Sequence, residues 1–186
     1  TYFFLLDEAY YLNDLYLVCL ISFLMIFIPC HLNVSVDVLR NPFIKCSTLP
    51  VIYLWSLRLS MGLVYFYGGI AKIEPDWLSG KAMGYWLSQK TDYPIIGEFF
   101  SNEWVVLLYS WAGCLFDLFI PFLLLYRKTR ILSLIIVIIF HVNNEIMFHI
   151  GIFPYLGVVL SLLYFNPDFP KKLILKFFIN PEKGIQ

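Results

Sequence analysis

Four long apolar blocks, separated by short polar breaks, organise the chain. Residues 15–29 carry no charge; residues 50–71, 105–126 and 131–165 carry one each, Arg58, Asp117 and Glu145. A helix that crosses hydrocarbon needs about 20 mainly apolar residues. Each of the first three blocks, with its flanks, can supply one crossing. The last is too long for a single span at about 1.5 Å per residue. Gly151, Pro154 and Gly157 mark a break within it. Strand-like alternation of apolar and polar residues is absent, and backbone groups in lipid must be satisfied internally, so the blocks read as helices. The pattern predicts an all-α, polytopic transmembrane bundle of about five membrane helices. Residues 74–103, with Pro75, Trp77, Trp86 and Pro94, read as short interfacial helices.

Composition agrees with that pattern. Of 186 residues, 60% are hydrophobic and 14% charged, against about 45–50% and 25% in soluble domains. Aromatics reach 19%, which suits interfacial belts and a ring-lined cavity. The formal net charge is zero, so no polyanionic partner is implied, and no nucleic-acid motif is visible. The four cysteines are scattered without a CxxC pair; Cys19 and Cys114 read as small packing residues. The segment TYFFLLD at residues 1–7 is not a signal peptide. The chain reads as a piece of a longer protein, incomplete at its N-terminus. Residues 1–172 form the membrane domain, and 173–186 begin a downstream segment or linker.

Basic loops suggest an orientation. Arg127, Lys128 and Arg130 form a tight basic turn; Arg40 and Lys45 occupy another loop, and Lys171, Lys172 and Lys176 follow the last block. Five crossings put these three groups on the cytoplasmic side and residues 74–103 outside.

Polar residues inside the apolar blocks are the candidates for chemistry. Lys72 ends the second block. An ammonium at the edge of hydrocarbon is costly unless it is partnered, neutralised or used, and a desolvated lysine can shed its proton and act as a base. Arg58 lies 14 residues earlier, on nearly the same helix face and roughly 20 Å away. Gly62, Tyr65 and Gly69 fall along that stripe, where glycines admit another helix or a flat ligand. A plainer reading pairs Arg58 with Asp117 and lets Lys72 snorkel to the headgroups. In the last block His141, Glu145 and His149, at i, i+4 and i+8, form a polar stripe with Asn143 and Asn144 beside it. The stripe fits a proton relay, a site for a polar head, haem ligation or interhelical hydrogen bonding. No HExxH pattern supports a metal centre, and no phosphate loop or nucleophile elbow is present.

The string YFYGGIAKIEPDWLSG at residues 65–80 resembles the core motif of the vitamin K-dependent gamma-glutamyl carboxylases, especially their bacterial homologues and HTTM-like transmembrane domains. TYFFLLD at 1–7, CHLNVSVD at 30–37 and FHVNNEIMFHIGIFPY at 140–155 resemble three further family segments in the same order. The resemblance implies an enzyme that oxidises vitamin K hydroquinone with oxygen to the epoxide. The strongly basic intermediate removes a γ-proton from a protein glutamate, and the carbanion captures carbon dioxide. It implies that Lys72 is the catalytic base toward the hydroquinone, with His31 and His141 near the reacting ring. Arg58, Tyr65, Gly69 and Asn144 are then the expected cofactor-binding residues, Glu145 and His149 further polar positions, and no metal is expected. The partners implied are membrane lipid, vitamin K and a glutamate-containing protein or peptide. The location implied is a bacterial inner membrane rather than the endoplasmic reticulum. The family's downstream domain lies outside, whereas the charge count places the end of this chain inside; a re-entrant last block reconciles the two. Two other functions share these residues: a quinone- or haem-binding electron-transfer subunit using His31, His141 and His149, and a non-enzymatic lipid-binding or transport domain.

Overall fold

The computed structural model describes residues 13–33, 35–94 and 96–169. The motif at residues 1–7, the segment 173–186 and the basic residues Lys171, Lys172 and Lys176 lie outside the described residues. Helices are the regular elements of the described residues, joined by short turns. Its α-helices are α1 (Asn13–Phe27), α2 (Val36–Arg40), α3 (Val51–Ala71), α4 (Pro75–Leu78), α5 (Lys81–Ser88), α6 (Glu103–Leu125), α7 (Arg130–Phe148) and α8 (Phe153–Ser161). The breaks fall where backbone chemistry demands them. Pro50 precedes α3 and Pro75 opens α4, each at a helix start where a missing N–H costs nothing. α7 stops because His149 takes a left-handed conformation (φ 49°) and Gly151 follows at φ 76°. Pro154 then sits in the first turn of α8.

Two helices, Glu103–Leu125 and Arg130–Phe148, are long and apolar enough to cross a membrane. A third candidate exists if Leu15–Phe27 and Cys30–Arg40, which meet at 57°, form one broken span. α3 is long enough at 21 residues, but Arg58, its serines and its glycines dilute its apolar character. α8 and the turn Leu162–Tyr164 together are apolar but short, about 18 Å at 1.5 Å per residue. The expected interfacial stretch forms α4, α5 and the 3-10 turn Gly97–Ser101.

Burial is ordered as lipid requires. Ser110, Asp117, Ser133, His141 and Ser161 are buried, whereas Phe119, Leu132, Ile139 and Val159 stand more than half exposed. Polar groups inside and large apolar ones outside suit a hydrocarbon surround, where interior polar groups find one another. With the apolar helices, this describes an integral membrane protein. The core gathers Leu17, Met61, Tyr65, Phe116, Ile120 and Leu124. α3 and α6 run antiparallel at its centre. A Cβ on Gly69 would lie 2.7 Å from the Leu118 backbone nitrogen, so only glycine lets the two backbones come this close. The helix ends near Phe165 are capped by cations. Arg130 donates to the Leu124 and Leu125 carbonyls, satisfying the last turn of α6.

Candidate functional site

Two polar pairs lie side by side in the α3–α6–α7 core. The first joins Lys72 to Asp117. Lys72 follows the last residue of α3, and its Nζ reaches back to the Gly68 carbonyl (3.2 Å) and to Asp117 Oδ2 (2.6 Å). The Lys72 side chain is 23% exposed and that of Asp117 12%. The carboxylate is therefore enclosed while the amine remains reachable. The Trp77 ring, centred 5.3 Å from Nζ, covers the amine on one side. Trp77 is itself fixed to α6: its Nε1 donates to the Ser110 carbonyl (2.8 Å), and the Ser110 hydroxyl donates to the Trp77 carbonyl. Cys114 is buried on the same helix and donates its thiol to the Gly69 carbonyl (3.7 Å).

The second pair joins Tyr65 to His141. Their hydroxyl and Nε2 are 2.7 Å apart, and both side chains are almost wholly buried. Aromatic rings enclose the imidazole edge-on: Phe116, Phe140 and Phe153. Gly157 of α8 faces the ring so closely that a Cβ there would overlap it. Tyr65 and Lys72 are seven residues apart, two helical turns or about 10 Å. On α6 the consecutive residues Phe116 and Asp117 meet Tyr65 and Lys72 respectively. One interface thus carries both pairs.

Buried polar atoms almost always find hydrogen-bond partners. Among the described residues, two buried side-chain atoms lack one: Nδ1 of His141 and Oε2 of Glu145. These residues lie four apart on α7, so they share a face. A polar ligand or water can satisfy them. The arrangement can exchange a proton at Lys72 Nζ, store one on Asp117 and hold an orientable donor and acceptor at the Tyr65–His141 pair.

Not every residue singled out from sequence joins this group. His31 lies exposed on the 3-10 turn Cys30–Leu32. That turn belongs to the connection entering the N-terminus of α3, whereas Lys72 caps the opposite end. Arg58 does not meet Asp117. It donates to the Leu163 and Phe165 carbonyls (2.7 and 3.2 Å), near the N-terminal end of α3. The face of Gly69 is taken by Leu118. Of the two alternatives the glycines left open, helix packing is the one realised there. The continuous polar stripe is corrected: α7 ends at Phe148, so His149 leaves the helical register as an exposed left-handed cap. Asn144 is half-buried, while its neighbour Asn143 accepts from the Tyr109 hydroxyl (3.2 Å). Among the described residues no group of three or more His, Cys, Asp or Glu side chains gathers as a metal site would require. Asp117, which the plainer sequence reading paired with Arg58, is instead the partner of Lys72, as the α3–α6 register dictates.

No solved structure matches this fold. Residues 1–169 match the family model of the HTTM domain, the membrane domain tied to the vitamin K-dependent carboxylases, and the chain belongs to that family.

Proposed function

We propose that this domain is the membrane core of a vitamin K-dependent gamma-glutamyl carboxylase-like enzyme. One observation carries the reading: a reachable lysine, paired to an enclosed aspartate, lies two helical turns from a buried tyrosine–histidine pair in a chain of this family. Asp117, at hydrogen-bond distance, would first take the ammonium proton, leaving two neutral groups where charges are poorly solvated. The neutral Lys72 amine would then receive a proton from a bound hydroxyl, leaving the oxygen anionic beside the ammonium. Tyr65 and His141 would hold the far polar edge of the bound molecule through the unpartnered His141 Nδ1. The surrounding phenylalanines exclude water that would quench a strong base.

Bound vitamin K hydroquinone, oxidised by oxygen to its epoxide, would supply the base that removes a glutamate γ-proton before carbon dioxide adds at that carbon. The same reading includes a protein or peptide glutamate as substrate and a bacterial inner membrane as location. It includes five membrane passages: α1, α3, α6, α7 and the segment from Phe153 onward. His31 has no part in this group of residues.

The test uses membranes containing the protein, supplied with vitamin K hydroquinone, oxygen, labelled carbon dioxide and a glutamate-rich peptide. Epoxide formation by the wild type and its loss in Lys72→Ala are expected. Oxygen consumption and epoxide that are absent from the wild type, or unchanged in the variant, would overturn the proposal.

A further inference from the structure

Two arginines converge on Phe165, at the opposite end of α3 from Lys72. Arg58 donates from Nε to the Leu163 carbonyl and from Nη2 to the Phe165 carbonyl, with Cζ 5.3 Å from the Trp55 ring centre. Arg130 donates to the Leu124 and Leu125 carbonyls, with Cζ 5.8 Å from the Phe165 ring centre. The carbonyl bonds give each arginine a capping role but leave its charge without an acid. Among the described residues the ion pairs are Lys72–Asp117 and Lys81–Asp76, and no hydrogen bond involves Nη1 of either arginine.

An apolar cavity of about 160 Å³ lies beside Arg58, between α3 and α6. Arg58 lines one end; Leu59, Leu63, Phe66, Phe122 and Leu125 form the walls. From Arg58 to Phe66 the groove follows α3 for about 12 Å. Leu59 and Phe122 are more than half exposed, so the groove opens on the outer surface of the bundle. Arg58 at the end of a hydrocarbon trough, with Arg130 beyond the lining on the Phe165 ring and neither cation met by an acid among the described residues, matches an amphiphile with an anionic head. An uncharged quinone would leave the cations unanswered. A free phosphate would leave the trough empty.

We propose that this groove binds an anionic phospholipid, its phosphate on Arg58 and Arg130 and one acyl chain along Leu59–Phe66. Arginine pairs suit phosphate because the guanidinium offers parallel donors, and basic pockets between membrane helices are known lipid-headgroup sites.

Native mass spectrometry of the detergent-purified protein, titrated with phosphatidylglycerol or phosphatidylcholine of the same chains, reads this directly. Both lipids offer the same phosphate, but the choline cation offsets its charge, so net headgroup charge at the two guanidiniums predicts at least about tenfold tighter retention of phosphatidylglycerol. Arg130→Gln should remove most of that preference. Arg40→Gln, an equal charge loss on the exposed end of α2, should leave it unchanged. Arg58→Gln serves if it folds. Leu63→Trp, which fills the trough without touching either cation, should weaken both lipids alike. Glycerol phosphate at matched concentration should not displace the lipid. Equal retention of the two lipids, equal loss in Arg40→Gln, or displacement by glycerol phosphate or by a prenylated quinone would overturn the proposal.

Discussion

Replacing Gly157 by alanine tests how the buried tyrosine–histidine pair is held. A Cβ at this position would stand 2.6 Å from His141 Cε1 and 2.9 Å from Cδ2, and nearer still to Nε2, the atom bonded to Tyr65. Either the imidazole turns away or α8 lifts off α7. Overpacking of this kind costs about 1–3 kcal/mol. Losing a buried hydrogen bond that leaves both partners unsatisfied costs about 1–3 kcal/mol more. Alanine for glycine inside a helix returns about 1 kcal/mol. The net expectation is a loss of about 1–5 kcal/mol, seen as a lower thermal midpoint in detergent. Tyr65→Phe removes the hydroxyl beforehand. In that background Gly157→Ala should cost at least about 1 kcal/mol less, a coupling expected of groups in contact. A Gly157→Ala protein as stable as the wild type, or stabilised by its helix propensity, would refute the packing argument. Strict additivity with Tyr65→Phe would refute the claim that the clash acts through the pair.

Two other expectations follow from charge placement. Lys72→Ala strands the more enclosed Asp117, whereas Asp117→Ala leaves a lysine that can reach water. Thermal denaturation should therefore rank Lys72→Ala as the costlier change, by about 1–3 kcal/mol, with the double variant less damaged than Lys72→Ala alone. At the exposed Lys81–Asp76 pair, the hydrogen bond to Asp76 and then its charge hold the Lys81 ammonium above its ordinary value of 10.5. Because the folded value is raised, any stability from the pair is fully present below that ordinary value and disappears as pH rises through the folded one. The midpoint difference between wild type and Lys81→Ala should thus be small and equal at about pH 6 and about pH 8, fading only in alkali.

Much of the helix layout was legible because it follows from local chemistry. Apolar runs, prolines at 50, 75 and 154 and the glycine at 151 place the helices and the break after α7. The errors arose where tertiary geometry decides. Helical spacing extended through His149 makes a three-residue stripe, but the backbone turns left-handed at that residue. Charge alone offered Asp117 to Arg58. The antiparallel register of α3 on α6, set by the close approach at Gly69, gives it to Lys72. Gly157 read as a helix breaker; within the folded protein it lies inside α8 and makes room for His141. No periodicity could bring Tyr65 to His141, because 76 residues separate them.

The central claim is that Lys72 removes the proton that starts the chemistry. The most direct measurement is the pH dependence of epoxide formation by folded, monodisperse Lys72→Ala beside the wild type. No measurable epoxide is expected from the variant near neutral pH. Partial recovery is expected as pH rises, because free hydroquinone then ionises without help. Epoxide at the wild-type rate near neutral pH, with an unchanged pH profile, would contradict it.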